Sequence, residues 1–245
     1  MKLSKLYSKS SKSRKISKVM SIDHRQFAPA TLRNREPILE VLLQVLPPAG
    51  MVLEIASGTG EHAVFFAPHL QPRQWLPSDP NPLALASITA WQQNYPAPNL
   101  AAPITIDVTQ SDWSRNPPLQ KALESFAQNN PQSQGMLENS GITSIVNINM
   151  IHISPWAACL GLMAGAKNLL PIGGVLYLYG PFQQNGQHTS LSNIEFDASL
   201  RSQDPEWGIR SLEEVVTVAE AQNLKLQKIF PMPANNLSVV FQVVS

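Results

Sequence analysis

Val52-Leu53-Glu54-Ile55-Ala56-Ser57-Gly58-Thr59-Gly60-Glu61-His62-Ala63 is an apolar run carrying one carboxylate, then a turn of small residues, then the opening of a helix. A buried strand that passes through a glycine turn into a helix is how an α/β sheet brings backbone close to a nucleoside ligand. Gly58 and Gly60 let the chain turn tightly and leave no Cβ in a ligand's way.

The flanking sequence repeats the alternation. Residues 31–46 read as a helix with Thr31 as its N-cap and Leu32, Leu43 and their neighbours on one apolar side, stopped by Pro47-Pro48-Ala49-Gly50. Strands are expected at 51–56, 74–78, 104–108, 142–150 and 174–180, and helices at 60–70, 83–95, 119–128 and 155–170, with a polar loop over 129–140. That alternation implies right-handed crossovers and a doubly wound parallel sheet. The end of the chain breaks it: strands at 224–230 and 237–244 are joined only by 231–236, too short for a crossover helix, so they pair antiparallel. The expected fold is α/β and Rossmann-like, a mostly parallel seven-stranded sheet finished by a C-terminal antiparallel hairpin.

The chain has 245 residues, 43% hydrophobic and 14% charged, enough for one α/β domain with a full core. Seven of its 18 Lys and Arg lie in residues 1–19, leaving 11 against 17 acids and a net charge of −6 on the rest. An acidic body argues against nucleic acid as a partner. Residues 1–20 are expected to form a disordered Ser- and Lys-rich tail, with Met20 as an alternative first residue and a targeting segment as the second reading; 21–245 form the single domain. No apolar stretch is long enough for a membrane span. The single cysteine, Cys159, permits no internal disulfide and suggests no metal, which fits a reducing cytoplasmic setting.

Three acids fall at three successive strand ends: Glu54, Asp79 and Asp107. All open onto the carboxyl edge of the sheet, where ligands bind in such folds. Gly58-Thr59-Gly60-Glu61-His62-Ala63 also fits the looser dinucleotide pattern, yet a pyrophosphate would be repelled by Glu54. S-adenosyl-L-methionine carries an ammonium and a sulfonium, and its carboxylate can use free N–H groups at a helix start. The expected cofactor-binding residues are therefore Glu54, Ala56, Ser57, Gly58 and Gly60 in the turn, Asp79 for ribose hydroxyls, Asp107 and the Val108 amide for adenine, and Asn147. A turn with no ligand, an N-cap role for Asp79 and a turn-forming role for Asp107 are the plainer alternatives. At and just past the end of the fourth strand, Asn149 and His152 would face the transferable methyl group, with His152 as candidate base or as a hydrogen-bonded structural histidine.

Two other motifs fail. Asn116-Pro117-Pro118-Leu119 lacks the aromatic of amino-group methyltransferases and precedes the fourth strand instead of following it. None of Tyr7, Tyr95, Tyr177 and Tyr179 is followed by Lys four residues on, as a short-chain reductase requires. An NAD(P)-dependent reductase is thus the weakest reading.

Several blocks together resemble a known family: Leu53 to His62, Pro77-Ser78-Asp79, His152-Ile153-Ser154-Pro155-Trp156, Leu178-Tyr179-Gly180-Pro181-Phe182, Ser192 to Asp197, Leu200-Arg201, Asp204 to Arg210 and Met232-Pro233-Ala234-Asn235-Asn236, with Arg33-Asn34 before them. The family is an uncharacterised group of S-adenosylmethionine-dependent methyltransferase-like proteins that includes methyltransferase-like protein 26. The resemblance spans about residues 26–244 and implies a class I methyltransferase fold without naming the acceptor. One departure is Ala56 at the usual first glycine of the cofactor loop, tolerable if its φ stays negative. The expected activity is methyl transfer to a small-molecule acceptor, with His152 or Asp197 taking its proton and no metal. Residues 181–210, long for a connection, are expected to act as a lid or acceptor-recognition insertion, or else to be a solvated excursion tied by Arg–Asp pairs. The alternative function is a non-catalytic binding protein or scaffold of the same fold.

Overall fold

The computed structural model describes residues 23–129 and 141–245. The basic tail and all but the first residue of the polar 129–140 stretch lie outside them. The described chain runs α1 (Pro29–Val45), β1 (Met51–Ile55), α2 (Glu61–His69), β2 (Gln74–Ser78), α3 (Pro82–Asn94), α4 (Pro117–Asn129), β3 (Ile142–Ile148), α5 (Trp156–Leu169) and β4 (Val175–Gly180). It continues through β5 (Phe182–Gln184), β6 (Gln187–His188), α6 (Leu191–Gln203), β7 (Arg210–Ser211), α7 (Leu212–Glu220), β8 (Leu224–Met232) and β9 (Asn236–Val243).

The main sheet has the order β2-β1-β3-β4-β9-β8, parallel except for β9. The expected hairpin is present: β8 and β9 pair antiparallel, and β9 pairs antiparallel with β4. The sheet has six strands, not seven. The third strand expected over 104–108 does not form: residues 100–104, leading up to and into it, make only two isolated bridges to β2, Trp75 with Leu100 and Ser78 with Ile104. Between these points stand Pro77 on β2 and Pro103 on the segment, neither with an N–H to donate. The bonds resume one residue late, where the Ile104 amide donates to the Pro77 carbonyl and the Asp79 amide to the Ile104 carbonyl, both 3.1 Å. Facing prolines therefore reduce a seventh strand to a tethered edge that still delivers Asp107 to the rim.

Helices cover both faces. α1 and α2 pack Ile38, Leu42, Phe66 and Leu70 against Trp75, Val146 and Tyr177. α5 and α7 pack Leu162, Met163, Ala166 and Val215 against Leu53, Ile145, Leu176 and Phe241. Thr31 is buried in the first turn of α1 and caps nothing; Ala28 precedes the helix without a side-chain bond, and Pro29, whose fixed φ suits a first turn, starts it. Leu32 and Leu43, expected on the apolar side, are exposed. Residues 181–210 are organised: β5, β6 and β7 form a second small sheet, and α6 is capped by the Ser190 hydroxyl, which accepts from the Asn193 amide.

α5 holds the tethered edge through two glycines. A Cβ at Gly161 would run into the Val108 carbonyl oxygen, and one at Gly165 into the Trp113 indole. The Trp113 indole N–H donates to the Gly161 carbonyl at 2.8 Å. Gly165→Ala is accordingly expected to destabilise the protein by about 1–3 kcal/mol through overpacking, measured by denaturant unfolding, whereas Gly173→Ala, whose Cβ would meet Gln242 Nε2 at an unstrained 3.9 Å, loses only what its positive φ imposes.

Candidate functional site

The turn after β1 is built from left-handed backbone. Ala56 has φ +57°, Gly58 +56° and Gly60 +88°. The expectation that Ala56 keeps a negative φ fails: the chain must reverse at once so that the Ser57 amide can donate to the Ser78 carbonyl at 2.8 Å. An alanine held there is strained by roughly 1–2 kcal/mol. Gly60 caps α2, and a Cβ on it would strike the Ile88 backbone of α3. A Cβ on Gly58 would meet nothing within 4 Å.

Beside this turn lies a cleft of about 500 Å³ at the carboxyl edge. The turn contributes Glu54, Ala56, Ser57, Gly58 and Thr59 to its lining; the strand ends and edge contribute Asp79, Asp107, Val108 and Asn149; Met150, Ser154 and Ala158 close one side. Among the described residues the lining contains three carboxyl groups and neither Lys nor Arg.

Glu54 is buried, and its Oε2 accepts from the Ser57 hydroxyl at 2.9 Å and the Trp75 indole at 3.0 Å. Burial pushes its carboxyl up to about 7 against the pull of those two bonds. Asp79 is buried as well, with Oδ2 accepting from the Gly58 amide and Oδ1 from the Asn81 amide, each at 2.9 Å. Burial raises its pKa, and the two amides oppose the rise. Asn81, not Asp79, caps α3. Asp107 is half-buried; burial pushes it up, but the Thr109 hydroxyl, the Thr109 amide and Gln110 together hold it below its ordinary value. The Val108 amide donates to no group among the described residues.

Four anticipated residues lie off the lining. Gly60 sits behind the turn under α3. Asn147 is buried in β3 and donates to the Ile55 carbonyl at 3.0 Å, tying β3 to the end of β1. His152 is buried against Gly180, which the Asn149 side chain also borders, with its ring edge-on to Phe196 of α6 and its Nδ1 without a hydrogen-bond partner. Burial, aided by the nearby Arg210 charge, drives its pKa down to about 4. Asp197 is engaged by the Arg201 guanidinium at 2.9 Å, by the Ile209 amide at 2.6 Å and more loosely by His188.

The acceptor-side turn is fastened to the 181–210 segment. The Arg210 guanidinium donates to the carbonyls of Ile151, Ser154 and Glu206 and lies over Trp156. The Gly208 amide donates to the His152 carbonyl.

Sequence reasoning overlooked part of the cleft. His62, Ala28, Ala30 and Thr31 also line it. His62 stood inside the opening motif, but its position there is equally that of an ordinary amphipathic helix residue. The short arm before α1 gave no periodic signal. It is held by the Gln26 amide on the Ser87 hydroxyl, the Ala28 amide on the Glu61 carboxylate, and the Trp91 indole on the Gln26 carbonyl.

His62 and His152 are both kept neutral by burial, each down at about 4. The unfolded chain binds protons at these residues from about pH 6.5 downward, and the folded protein does not until about pH 4. Stability is therefore expected to fall as pH drops from about 6.5 toward 4, with Glu54 opposing the trend because its folded form holds a proton up to about pH 7. Unfolding free energies measured across that window should lose much of this slope in His152→Gln.

The fold has many solved counterparts. An O-methyltransferase family 2 protein from Planctomyces limnophilus, solved in complex with apigenin, superposes with a TM-score of 0.68 at 17% identity, over 88% of this chain and 58% of that one. The apo S-adenosylmethionine-dependent methyltransferase SibL gives 0.65 at 12% identity, over 88% and 56%. The CurJ carbon methyltransferase gives 0.57 at 19%, over 90% and 56%. The chain thus spans somewhat under three-fifths of these proteins, and at such identities the likeness establishes a class I methyltransferase fold. A family model described as a protein of unknown function matches residues 25–243, and the chain belongs to that family, DUF938.

Proposed function

We propose that this protein is an S-adenosylmethionine-dependent methyltransferase acting on a small-molecule acceptor. The observation that carries the reading is the acidic make-up of the cleft: the carboxyl groups of Glu54, Asp79 and Asp107 line it, with neither Lys nor Arg beside them among the described residues. Such a wall attracts a sulfonium and an ammonium and repels a pyrophosphate, which disfavours NAD(P) and the reductase reading. The residues also fit the cofactor by type. The Asp79 carboxylate retains lone pairs for ribose hydroxyls beyond its two backbone bonds, and the free Val108 amide beside Asp107 offers a donor–acceptor pair for adenine. Glu54 has an oxygen, Oε1, that takes neither the Ser57 nor the Trp75 bond.

Bound there, the cofactor supplies a methyl group activated on sulfur, which needs no metal. The protein's own task is to hold the acceptor in line and take its proton. Asn149 lines the cleft with its side chain free of hydrogen bonds among the described residues, and we assign it to orienting the acceptor. We assign His152 as the base: burial keeps it neutral, its Nδ1 is unpartnered, and it borders Gly180 as the Asn149 side chain does. Asp197 fits that role less well, since Arg201 and the Ile209 amide already occupy its two oxygens. It serves instead to lock the 181–210 segment, which we read as the acceptor-recognition lid. The kinship to methyltransferase-like protein 26, a cytoplasmic location and the lack of a nucleic-acid or membrane partner belong to this same proposal; no helix of the described residues is long and apolar enough to cross a membrane. A second reading, a non-catalytic binder of the cofactor, draws on one observation: His152 lies off the cleft lining.

S-adenosylhomocysteine is expected to raise the melting temperature and NADPH to leave it unchanged; ligand at a hundred times its Kd adds about 2.7 kcal/mol. Gly58→Asn keeps a residue type that tolerates positive φ but puts a side chain into open space at the cleft, so it should fold normally and lose the S-adenosylhomocysteine shift. A shift with NADPH alone would reject the reading. Once an acceptor is found, His152→Gln should lower kcat at least a hundredfold, and the wild-type rate should hold as pH is lowered to about 5, since the His152 ring stays neutral until about 4.

A further inference from the structure

His62 stands in the first turn of α2, and its ring lines the cleft. The ring is stacked on Phe66, nearly parallel at 6° and 5.2 Å between centroids, so its orientation is fixed. Its Nε2 lies 2.9 Å from Asn34 Oδ1 in α1. Asn34 is itself buried, and it presents its side-chain oxygen to the ring. An amide oxygen can only accept a hydrogen bond. Nε2 therefore carries the proton, and Nδ1 carries a lone pair. Nδ1 has no hydrogen-bond partner among the described residues. Burial, with the Arg35 charge adding to it, keeps the ring neutral, so it does not repel a cation.

The order of the sheet places this lone pair. Asp107 and Val108 lie on the outer edge, Asp79 and then Glu54 follow inward, and His62, in the helix after β1, shares the lining with Ala28 of the arm and Ala30 and Thr31 of the first turn of α1. If adenine sits at Asp107 and ribose at Asp79, the far end of the ligand reaches the His62 wall. We propose that His62 is a specificity-determining residue whose Nδ1 accepts a hydrogen bond from the α-ammonium of the cofactor's amino-acid portion, in a tautomer set by Asn34. This rests on the cofactor reading above and adds to it a donor–acceptor assignment: His62 selects ligands bearing an amine at that end, and a carboxylate there gains nothing from it.

The test compares three ligands by calorimetry: S-adenosylhomocysteine, its deaminated 2-oxo analogue, and 5′-methylthioadenosine, which lacks the amino-acid portion. His62→Phe preserves the stacking on Phe66 while removing Nδ1. It is expected to weaken S-adenosylhomocysteine about 10- to 100-fold, the size of one hydrogen bond to a charged group, and to change the other two less than about twofold. Asn34→Leu, which frees the tautomer without touching the cleft, should give a smaller loss with the same selectivity, and it keeps the test open if His62→Phe does not fold. Equal losses for all three ligands, or none, would overturn the assignment while leaving the cofactor reading intact. Failure of the wild type to bind any of them would overturn both.

Discussion

The site rests on a closed set of hydrogen bonds among Glu54, Ser57 and Ser78. The Ser57 hydroxyl donates to Glu54 Oε2 at 2.9 Å and accepts from the Ser78 amide at 3.1 Å; the Ser78 hydroxyl donates to the Glu54 carbonyl at 2.7 Å; the Ser57 amide donates to the Ser78 carbonyl at 2.8 Å. Each bond satisfies a group that would otherwise be buried without a partner, at a penalty of about 1–3 kcal/mol apiece. Together they stop β1 and β2 at the same level and force the left-handed reversal at Ala56. Asp79 is thereby brought under Gly58, and the neighbouring acids share one rim. A parallel sheet leaves its carboxyl edge open by construction; these bonds turn the opening into a cleft with a chosen charge.

Much of this was legible in the sequence because it depends on local chemistry. The glycine turn, β2 with its terminal acid, and the short link that forces β8 and β9 antiparallel all follow from residue type and spacing. What was not legible depends on register. Pro77 and Pro103 are unremarkable singly, and only their juxtaposition across the edge stops a seventh strand from forming. The positive φ of Ala56 follows from the Ser57–Ser78 bond, a contact 21 residues apart in sequence. His62 was visible as a letter, but its function as a wall of the cleft arises from the stacking on Phe66 and the bond to Asn34, neither of which has a sequence signature.

The distant blocks that gave the chain its family likeness also acquire a spatial reason. The Asn193 side chain donates to the Asn235 carbonyl, and the Asn235 side chain reaches the Ser192 hydroxyl, so α6 is fastened to the β8–β9 turn. Ala234 and Asn235 are both held at positive φ in that turn. Arg33-Asn34, Tyr179-Gly180 and Asn236 meet at the same end of the sheet through the Asn34–Tyr179–Asn236 contacts. These sequence blocks, distant along the chain, are thus neighbours in one polar cluster at that end of the sheet.

Arg210 gives this cluster a further property. One planar guanidinium satisfies three carbonyls, two in the 151–154 turn and one in the chain just before β7. Such a fork tolerates little change in the separation of its acceptors. Insertions and deletions among homologues should therefore gather at Gly186 in the tip of the β5–β6 hairpin, where a side chain would meet nothing within 4 Å, and should be scarce between Ile151 and Pro155, where one added residue would break the fork's grip.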